Sequence, residues 1–228
     1  METIIEFHRD LQSYTDTQIH TMAKHTGLSG RPDDLRWMLA IQNSHVKAHM
    51  PLQLPALEAM VDGGMTLKEL LNLRRISREH RNAVNKYLPL LVPRLKSVDS
   101  ETLINLIHKS RLTPTDLVIV KGLLKNPRVD PTVHNDYPIR RASRNGHLEV
   151  VRLLLADLRA DPSANHNYAI QVASQYGHLE VVRLLLADSF VDPTDNNNYA
   201  IRWASRNGHT DIVNLLLQDP RVASTYNA

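Results

Sequence analysis

The sequence predicts an all-α protein in which a helix-turn-helix repeat solenoid follows a small helical N-terminal domain. The segment LEVVRLLLAD occurs twice, at 148–157 and at 179–188, at an offset of 31 residues. Self-similarity at a fixed period is typical of repeat architectures. Only 5% of the residues are aromatic and leucine-rich runs are frequent, which favours helical packing over a sandwich of strands.

The N-terminal domain, residues 1–99, contains no repeat, and its apolar periodicity predicts separate helices. We expect these helices at 16–26, 33–49, 55–61 and 67–88. The third is ended by Gly63-Gly64. The fourth begins with a capping box formed by Thr66 and Glu69 and is stopped by Pro89.

Part of this domain resembles an F-box. The stretch 54–85 has a Leu-Pro start, a short helix, and the pattern L-x-x-L-L-x-L-R-x-I-S-R-x-x-R-x-x-V. The resemblance implies that the region at about 54–90 docks on the Skp-type adaptor of cullin–RING ubiquitin ligases. The implied adaptor-binding residues are Leu54, Pro55, Leu67, Leu70, Leu71 and Ile76. Gly63-Gly64 departs from the apolar residues of the family, and a plain amphipathic helix packing against the first repeat is the alternative.

A second, weaker resemblance concerns nucleic acid. Residues 11–42 are similar to a SAP helix–loop–helix through Leu28-Ser29-Gly30 and Asp34-Leu35, which would imply DNA binding. Acidic residues are interspersed with the basic ones in this segment, and the whole chain carries a net charge of only +3. A dense basic face is the usual mark of nucleic-acid binding, so the sequence argues against this partner.

The repeats occupy 100–228, as a degenerate unit at 100–130 and three regular units at 131–161, 162–192 and 193–223. Each regular unit has a polar turn, a first helix that begins at a tyrosine, a glycine and a second apolar helix. Asp136, Asn167 and Asn198 precede the tyrosines, where we expect their side chains to cap the helices. The glycines favour a left-handed helix end, and the histidine after each one indicates a structural role because it recurs. These residues are Gly146, Gly177 and Gly208, with His147, His178 and His209.

The regular units resemble ankyrin repeats. The family's first helix has the pattern T-P-L-H-x-A-A-x-x-G-H, and residues 137–147 occupy that frame as YPIRRASRNGH. The second helix, VVRLLLAD, matches the family's V-V-x-L-L-L. Arg140, Gln171 and Arg202 replace the family's His, and the period of 31 is shorter than the usual ~33, so we expect short loops instead of β-hairpins. Ankyrin repeats beside an F-box also resemble proteins of large DNA viruses.

The resemblance implies a partner-binding concave face. Variable positions of the first helices would line it, and those that we predict to bind a partner are Arg141, Arg144, Val172, Tyr176, Trp203 and Arg206. Tyr176 and Trp203 are the expected anchors because aromatic residues dominate interface energetics. The arginines favour an acidic partner. Packing of Trp203 between repeats is the alternative.

Several function classes are excluded by what the sequence lacks. It has no cysteine, nucleophile elbow, phosphate-binding loop or zinc-protease motif, so we expect neither an enzyme nor a cofactor or metal site. No apolar run reaches the ~18 residues of a membrane span, so we expect an intracellular protein, in the cytoplasm, the host cytoplasm or a virion.

The predicted function is a protein–protein interaction scaffold. A ubiquitin-ligase substrate adaptor and a purely structural assembly protein are both open. The repeat stack ends at Leu215, Leu216 and Leu217, so either the tail folds back or this end docks on another molecule.

Overall fold

The computed structural model describes residues 12, 14–25, 36, 39, 54–75 and 78–226, and every regular element among them is a helix. The all-α prediction is confirmed. The chain divides into two compact units, Met1–Val98 and Asp99–Ala228. None of the helices in the described part has the length and apolar character that a bilayer span requires.

The first unit contains four described α-helices and two short 3-10 turns. The helices are α1 (Asp16–His25), α2 (Leu54–Asp62), α3 (Leu67–Asn72) and α4 (Arg78–Leu91), and the 3-10 turns are Leu73–Arg75 and Val92–Arg94. Helices α1 and α2 correspond to the predictions at 16–26 and 55–61. The predicted helix at 33–49 lies outside the described residues except for Arg36 and Leu39, and the SAP-like segment at 11–42 is described only in part.

The predicted single helix at 67–88 is wrong. Thr66 and Glu69 form the expected capping box, but α3 ends at Asn72 and is followed by the 3-10 turn Leu73–Arg75, and α4 is a separate helix, Arg78–Leu91. Pro89 does not stop α4, which continues to Leu91. Pro89 and Asn85, four residues earlier, are both exposed. Water can therefore bond the carbonyl that proline leaves without a donor, and the cost inside the last turn is small.

Apolar side chains from α2, α3 and α4 form the core of the first unit. The largest fully buried ones include Leu57, Met60, Leu70, Leu73, Leu88 and Leu91. Arg94 ties the end of this unit to α2, donating from Nη1 to Glu58 and from Nη2 to Asp62, each at 2.6 Å. Glu58 and Asp62 are four residues apart, so both lie on one face of α2 and meet the same guanidinium.

The second unit is a series of helix pairs followed by one short helix. The pairs are α5 (Ser100–Ile107) with α6 (Pro114–Leu124), α7 (Val133–Arg144) with α8 (Leu148–Leu155), α9 (Ala164–Gln175) with α10 (Leu179–Leu186), and α11 (Asp195–Arg206) with α12 (Thr210–Leu217); the last helix is α13 (Pro220–Tyr226). The connections between pairs contain no strand, as the short period predicts.

Small and β-branched residues allow the first helices α7, α9 and α11 to pack side by side. Ile139, Ala142, Ile170, Ala173, Ile201 and Ala204 are at most 1% exposed. The second helices bury valine, isoleucine and leucine beneath them, such as Val151 and Leu154. Each helix pair thus buries its apolar surface against its neighbours, as expected of a stacked repeat.

The C-terminal tail folds back on the last repeat. Helix α13 packs against α12 and α11, and Val222 is completely buried. The hydroxyl of Thr225 donates to Asn198 Oδ1 at 3.1 Å. Of the two outcomes that the sequence left open for this end of the stack, the tail takes the first.

Candidate partner-binding face of the repeats

A turn of left-handed backbone precedes each regular first helix. Residues 134–136, 165–167 and 196–198 all have φ between 54° and 59°, so right-handed helix begins at Tyr137, Tyr168 and Tyr199. All nine residues are Asn, Asp or His, which tolerate this region best after glycine. Three in succession is unfavourable for L-residues, so the turn needs support from its surroundings.

The left-handed turns are supported by hydrogen bonds from the side chains of Arg140, Gln171 and Arg202, which occupy the position where ankyrin repeats carry histidine. Arg140 donates from Nε to the Asn135 carbonyl at 2.9 Å and from Nη2 to the His134 carbonyl at 2.8 Å. Gln171 donates to the His166 carbonyl, and Arg202 to that of Asn196. These side chains therefore hold the repeat together.

The last residue of each left-handed turn does not cap its own helix, so the predicted capping role of Asp136, Asn167 and Asn198 is wrong. Asp136 Oδ1 accepts the backbone N–H of Asp161, and Asn167 Oδ1 accepts that of Asp192, each at 2.8 Å. The side chain thus bonds to the loop that leads into the next repeat. Burial, with repulsion from Asp161 and Asp130, raises the pKa of Asp136 above its ordinary value.

The repeated Gly-His pair also joins successive repeats. Gly146, Gly177 and Gly208 end the first helices with φ of 70–79°, as predicted. The histidine ring nitrogen Nε2 of each regular repeat lies 2.8–3.1 Å from a backbone carbonyl of the repeat before it, those of Lys109, Arg144 and Gln175. This contact requires Nε2 to be the protonated nitrogen, and it confirms the structural role predicted for His147, His178 and His209.

Aromatic and arginine side chains gather on the first helices. The Arg144 guanidinium lies 5.0 Å from the centre of the Tyr176 ring, and that of Arg206 lies 5.1 Å from the Trp203 ring. Tyr199 and Trp203 are 5.4 Å apart with ring planes at 34°. We call Arg144, Tyr176, Tyr199, Trp203 and Arg206 the aromatic–arginine face. The cation–π contacts restrain side chains that would otherwise lose entropy on binding a partner.

The predicted partner-binding residues differ in their accessibility. Arg144, Tyr176 and Arg206 are exposed, and Trp203 is half-buried. Val172 is only 1% exposed, so its side chain belongs to the core and is removed from the set. Arg141 is half-buried, and within the described part of the chain its buried Nε has no hydrogen-bond partner. Arg141, Val172 and Trp203 thus occupy equivalent positions of successive repeats but differ in burial. The 31-residue periodicity alone does not predict this difference.

A second recurring structure, which we call the arginine brace, lies in the loops after α8 and α12. In the loop after α8, Asp157 pairs with Arg159 through Nε and Nη2, at 2.9 and 2.7 Å, and Arg159 Nη1 donates to the Val129 carbonyl at 3.0 Å. Asp219 and Arg221 repeat this geometry, with Nη1 donating to the Val191 carbonyl at 3.1 Å. Sequence reasoning missed the brace, although arginine recurs at 31-residue spacing at 128 and 159 and again at 221.

The F-box-like residues of the first unit are partly accessible. Pro55 is exposed, and Leu54, Leu67 and Leu71 are half-buried. Leu70 is completely buried, so it serves the core of this unit rather than a contact surface. Ile76 lies outside the described residues.

Among the described residues, no group of three His, Asp or Glu side chains is arranged to hold a metal ion. Residues 139–226 match the family model for ankyrin repeats, in three copies. The comparison with curated proteins gave no match, and neither did the comparison with solved structures. The three copies cover most of the second unit, so the resemblance seen in the sequence holds for its regular repeats.

Proposed function

We propose that the chain is a scaffold that binds an acidic protein partner on the concave face of its repeats. Residues 139–226 match the family model for ankyrin repeats, which indicates a protein–protein interaction module. The observation that carries this proposal is the aromatic–arginine face. Aromatic and arginine residues contribute most to binding energy at protein interfaces. Here they are already held in place by cation–π contacts.

The charge of the first helices supports the acidic nature of this partner. From the tyrosine onward, the segments 137–144, 168–175 and 199–206 contain five arginines and no Asp or Glu. The side chains of Arg140 and Arg202 use donors on the left-handed turns, whereas the guanidinium groups of Arg144 and Arg206 make no hydrogen bond in the described part of the chain and are exposed. An acidic segment would provide the carboxylates that these two guanidinium groups bind.

Selection of a random displayed peptide library on the purified chain tests this proposal. We expect enriched peptides rich in Asp and Glu. A Trp203→Ala/Arg206→Ala variant should weaken their binding at least about tenfold, because it removes two candidate hot spots. Arg183→Ala is the matched control, since Arg183 is an exposed arginine of α10 that pairs with Glu180 at 3.7 Å. Enrichment without acidic residues, or equal binding by the double variant and the control, would contradict the proposal.

A second candidate function concerns the first unit. We propose that its F-box-like region docks on a Skp-type adaptor, which would make the chain a substrate adaptor of a cullin–RING ubiquitin ligase. Leu54 and Pro55 support this, because they open α2 and remain accessible at its first turn. In the alternative, a structural assembly protein, the same residues only complete the surface of the unit.

Binding of a purified Skp-type adaptor to the full chain separates these two functions. Micromolar or tighter binding that is lost in Leu54→Ala/Pro55→Ala would support the adaptor function. Leu158→Ala is the control, because Leu158 is a 98% exposed leucine of the second unit, outside the F-box-like region at about 54–90. Absence of binding by the unaltered chain would leave the assembly protein. A steep fall of DNA affinity with salt would instead favour the weaker nucleic-acid hypothesis.

A further inference from the structure

The arginine brace is interrupted in one repeat. In the loops after α6, α8, α10 and α12, an Asn or Asp side-chain oxygen accepts the backbone N–H of the residue two positions later, at 2.9–3.2 Å. That later residue is arginine in three loops and Phe190 in the fourth. The backbone of the brace is therefore intact at Asp188, but the guanidinium is replaced by an aromatic ring.

The acceptors that a guanidinium would use are still in place around Phe190. Asp188 corresponds to Asp157 and Asp219, and within the described part of the chain no arginine or lysine pairs with it. The Ala160 carbonyl corresponds to those of Val129 and Val191, each of which accepts an arginine Nη1. No arginine of the described residues donates to Ala160. The loop after α10 thus presents a carboxylate, and the loop after α8 a carbonyl, that correspond to the groups binding arginine in the neighbouring repeats.

Apolar side chains beside these acceptors are left open to solvent. Phe190 is 76% exposed, and Leu158, two residues before Ala160, is 98% exposed. A guanidinium suits this environment better than an ammonium ion, because it is planar, more weakly hydrated and able to bind a carboxylate through two N–H groups. Its alkyl stem can cover apolar surface while the charged end reaches the carboxylate.

We propose that these two successive loops, through Asp188 and Phe190 after α10 and Leu158 and the Ala160 carbonyl after α8, receive an arginine side chain from a partner protein. The precedent is internal, since Arg159 and Arg221 occupy the same position in their own repeats. The partner arginine pairs with Asp188 through two N–H groups and donates a third to Ala160. The site shares no residue with the aromatic–arginine face, and its test does not depend on that face.

The test uses Nα-acetyl-arginine N-methylamide as the probe, followed by NMR of the full chain. We expect saturable shifts of the backbone amide signals of Ala160, Asp188 and Phe190, with a dissociation constant on the order of millimolar. The citrulline analogue has the same shape without the charge and should give no saturable shift. Equal shifts with both probes, or with Nα-acetyl-leucine N-methylamide, would make the loop a general apolar contact and overturn the proposal.

Three variants make the assignment specific. Asp188→Asn should weaken probe binding by about fivefold or more, because the charge-assisted bonds are lost. Phe190→Arg should abolish binding, since its own guanidinium would occupy the site, and Phe190 is exposed enough for the fold to tolerate it. Arg159→Phe should create a second site with shifts at Asp157. Unchanged binding by Phe190→Arg overturns the proposal, whereas loss of acidic-peptide binding in Trp203→Ala/Arg206→Ala concerns only the proposed function.

Discussion

At the scale of single residues, the glycine that ends a first helix allows a close approach between successive repeats. A Cβ atom on Gly146 would lie 2.5 Å from Nδ1 of His178, and one on Gly177 would lie 2.7 Å from Cε1 of His209. The last glycine, Gly208, has the same positive φ, but a Cβ atom there would meet no neighbouring atom within 4 Å. At Gly146 and Gly177, both the left-handed backbone and the lack of space for a Cβ atom therefore favour glycine. At Gly208, only the left-handed backbone favours it.

This difference predicts unequal effects of one substitution. Gly146→Ala and Gly208→Ala should each cost about 1 kcal/mol because alanine disfavours the left-handed region. Only Gly146→Ala also pushes against the histidine of the next repeat, which should add about 1–3 kcal/mol of overpacking. Urea unfolding of both variants measures the difference. Equal losses in free energy of unfolding would mean that His178 moves aside without cost.

Asp136 is the charged member of a set whose other members, Asn167 and Asn198, are neutral. Its side chain is 8% exposed and accepts the N–H of Asp161. Because burial raises its pKa in the folded state, the folded chain binds this proton more tightly than the unfolded chain does. This residue therefore opposes folding increasingly as the pH rises through its folded pKa.

Asp136→Asn should consequently raise the free energy of unfolding at neutral pH, by about 1 kcal/mol. The amide keeps an acceptor for Asp161 N–H, as Asn167 does for Asp192. The gain should vanish below the ordinary aspartate pKa of 3.8, where the carboxyl is protonated in both states. Asn167→Asp is the reciprocal variant and should be destabilised at neutral pH. Thermal unfolding at several pH values checks both, and a gain that persists in acid would exclude the pKa as its cause.

At the scale of elements, the helix pairs of the second unit could be predicted because the 31-residue offset fixes them independently of any propensity. The left-handed turns could not be predicted, because a run such as Asn196-Asn197-Asn198 resembles any polar loop in the sequence. The sequence signal for these turns was the restriction to Asn, Asp and His at all three positions of all three repeats. Arg140 and Arg202 could likewise be placed on the first helices from the sequence, but only the structure shows their bonds to the turn.

The end of α3 was equally hidden from the sequence. The apolar periodicity at 67–88 continues across the 3-10 turn at Leu73–Arg75, and no glycine or proline marks the change. The proline that follows this stretch, Pro89, lies in a solvent-exposed last turn that tolerates it. Periodicity reports which side of a segment is buried, and a tightened turn can preserve that side while ending the α-helix.

The final helix α13 should stabilise the repeat that precedes it. Val222 is completely buried, and Val222→Ala should lower the free energy of unfolding by about 2 kcal/mol through lost burial and the resulting cavity. Ser224→Ala on the same helix is the control, because Ser224 is exposed and its hydroxyl donates within α13, to the Arg221 carbonyl. Hydrogen exchange at α11 and α12 is the measurement. Protection factors unchanged by Val222→Ala would show that the tail does not cap the stack.

At the scale of the whole molecule, aspartates recur at the junctions of the second unit. Arg159 and Arg221 hold the pKa values of Asp157 and Asp219 below the ordinary value. Backbone N–H and hydroxyl groups of Thr102 and Thr132 do the same for Asp99 and Asp130. For Asp116, burial acts in the opposite direction, but bonds from Lys109 and Thr113 outweigh it. These side chains lie at helix starts and in the loops between helices, so their charge state bears on the connections of the stack.

Because these five pKa values are lowered in the folded state, their stabilising effect is complete above the ordinary value of 3.8 and is lost as the pH falls through the folded values. Asp136, whose pKa is raised, acts with the opposite sign. Urea midpoints should therefore fall as the pH drops below about 4. Asp157→Asn/Asp219→Asn should be less stable at neutral pH, by about 1 kcal/mol per lost pair, yet less sensitive to acid. Those two side chains are each only 14% exposed, so added salt should screen them weakly. If the variant and the unaltered chain lost stability in parallel, the braces would not be the acid-sensitive part of the stack, and titration of the first unit would have to account for the fall.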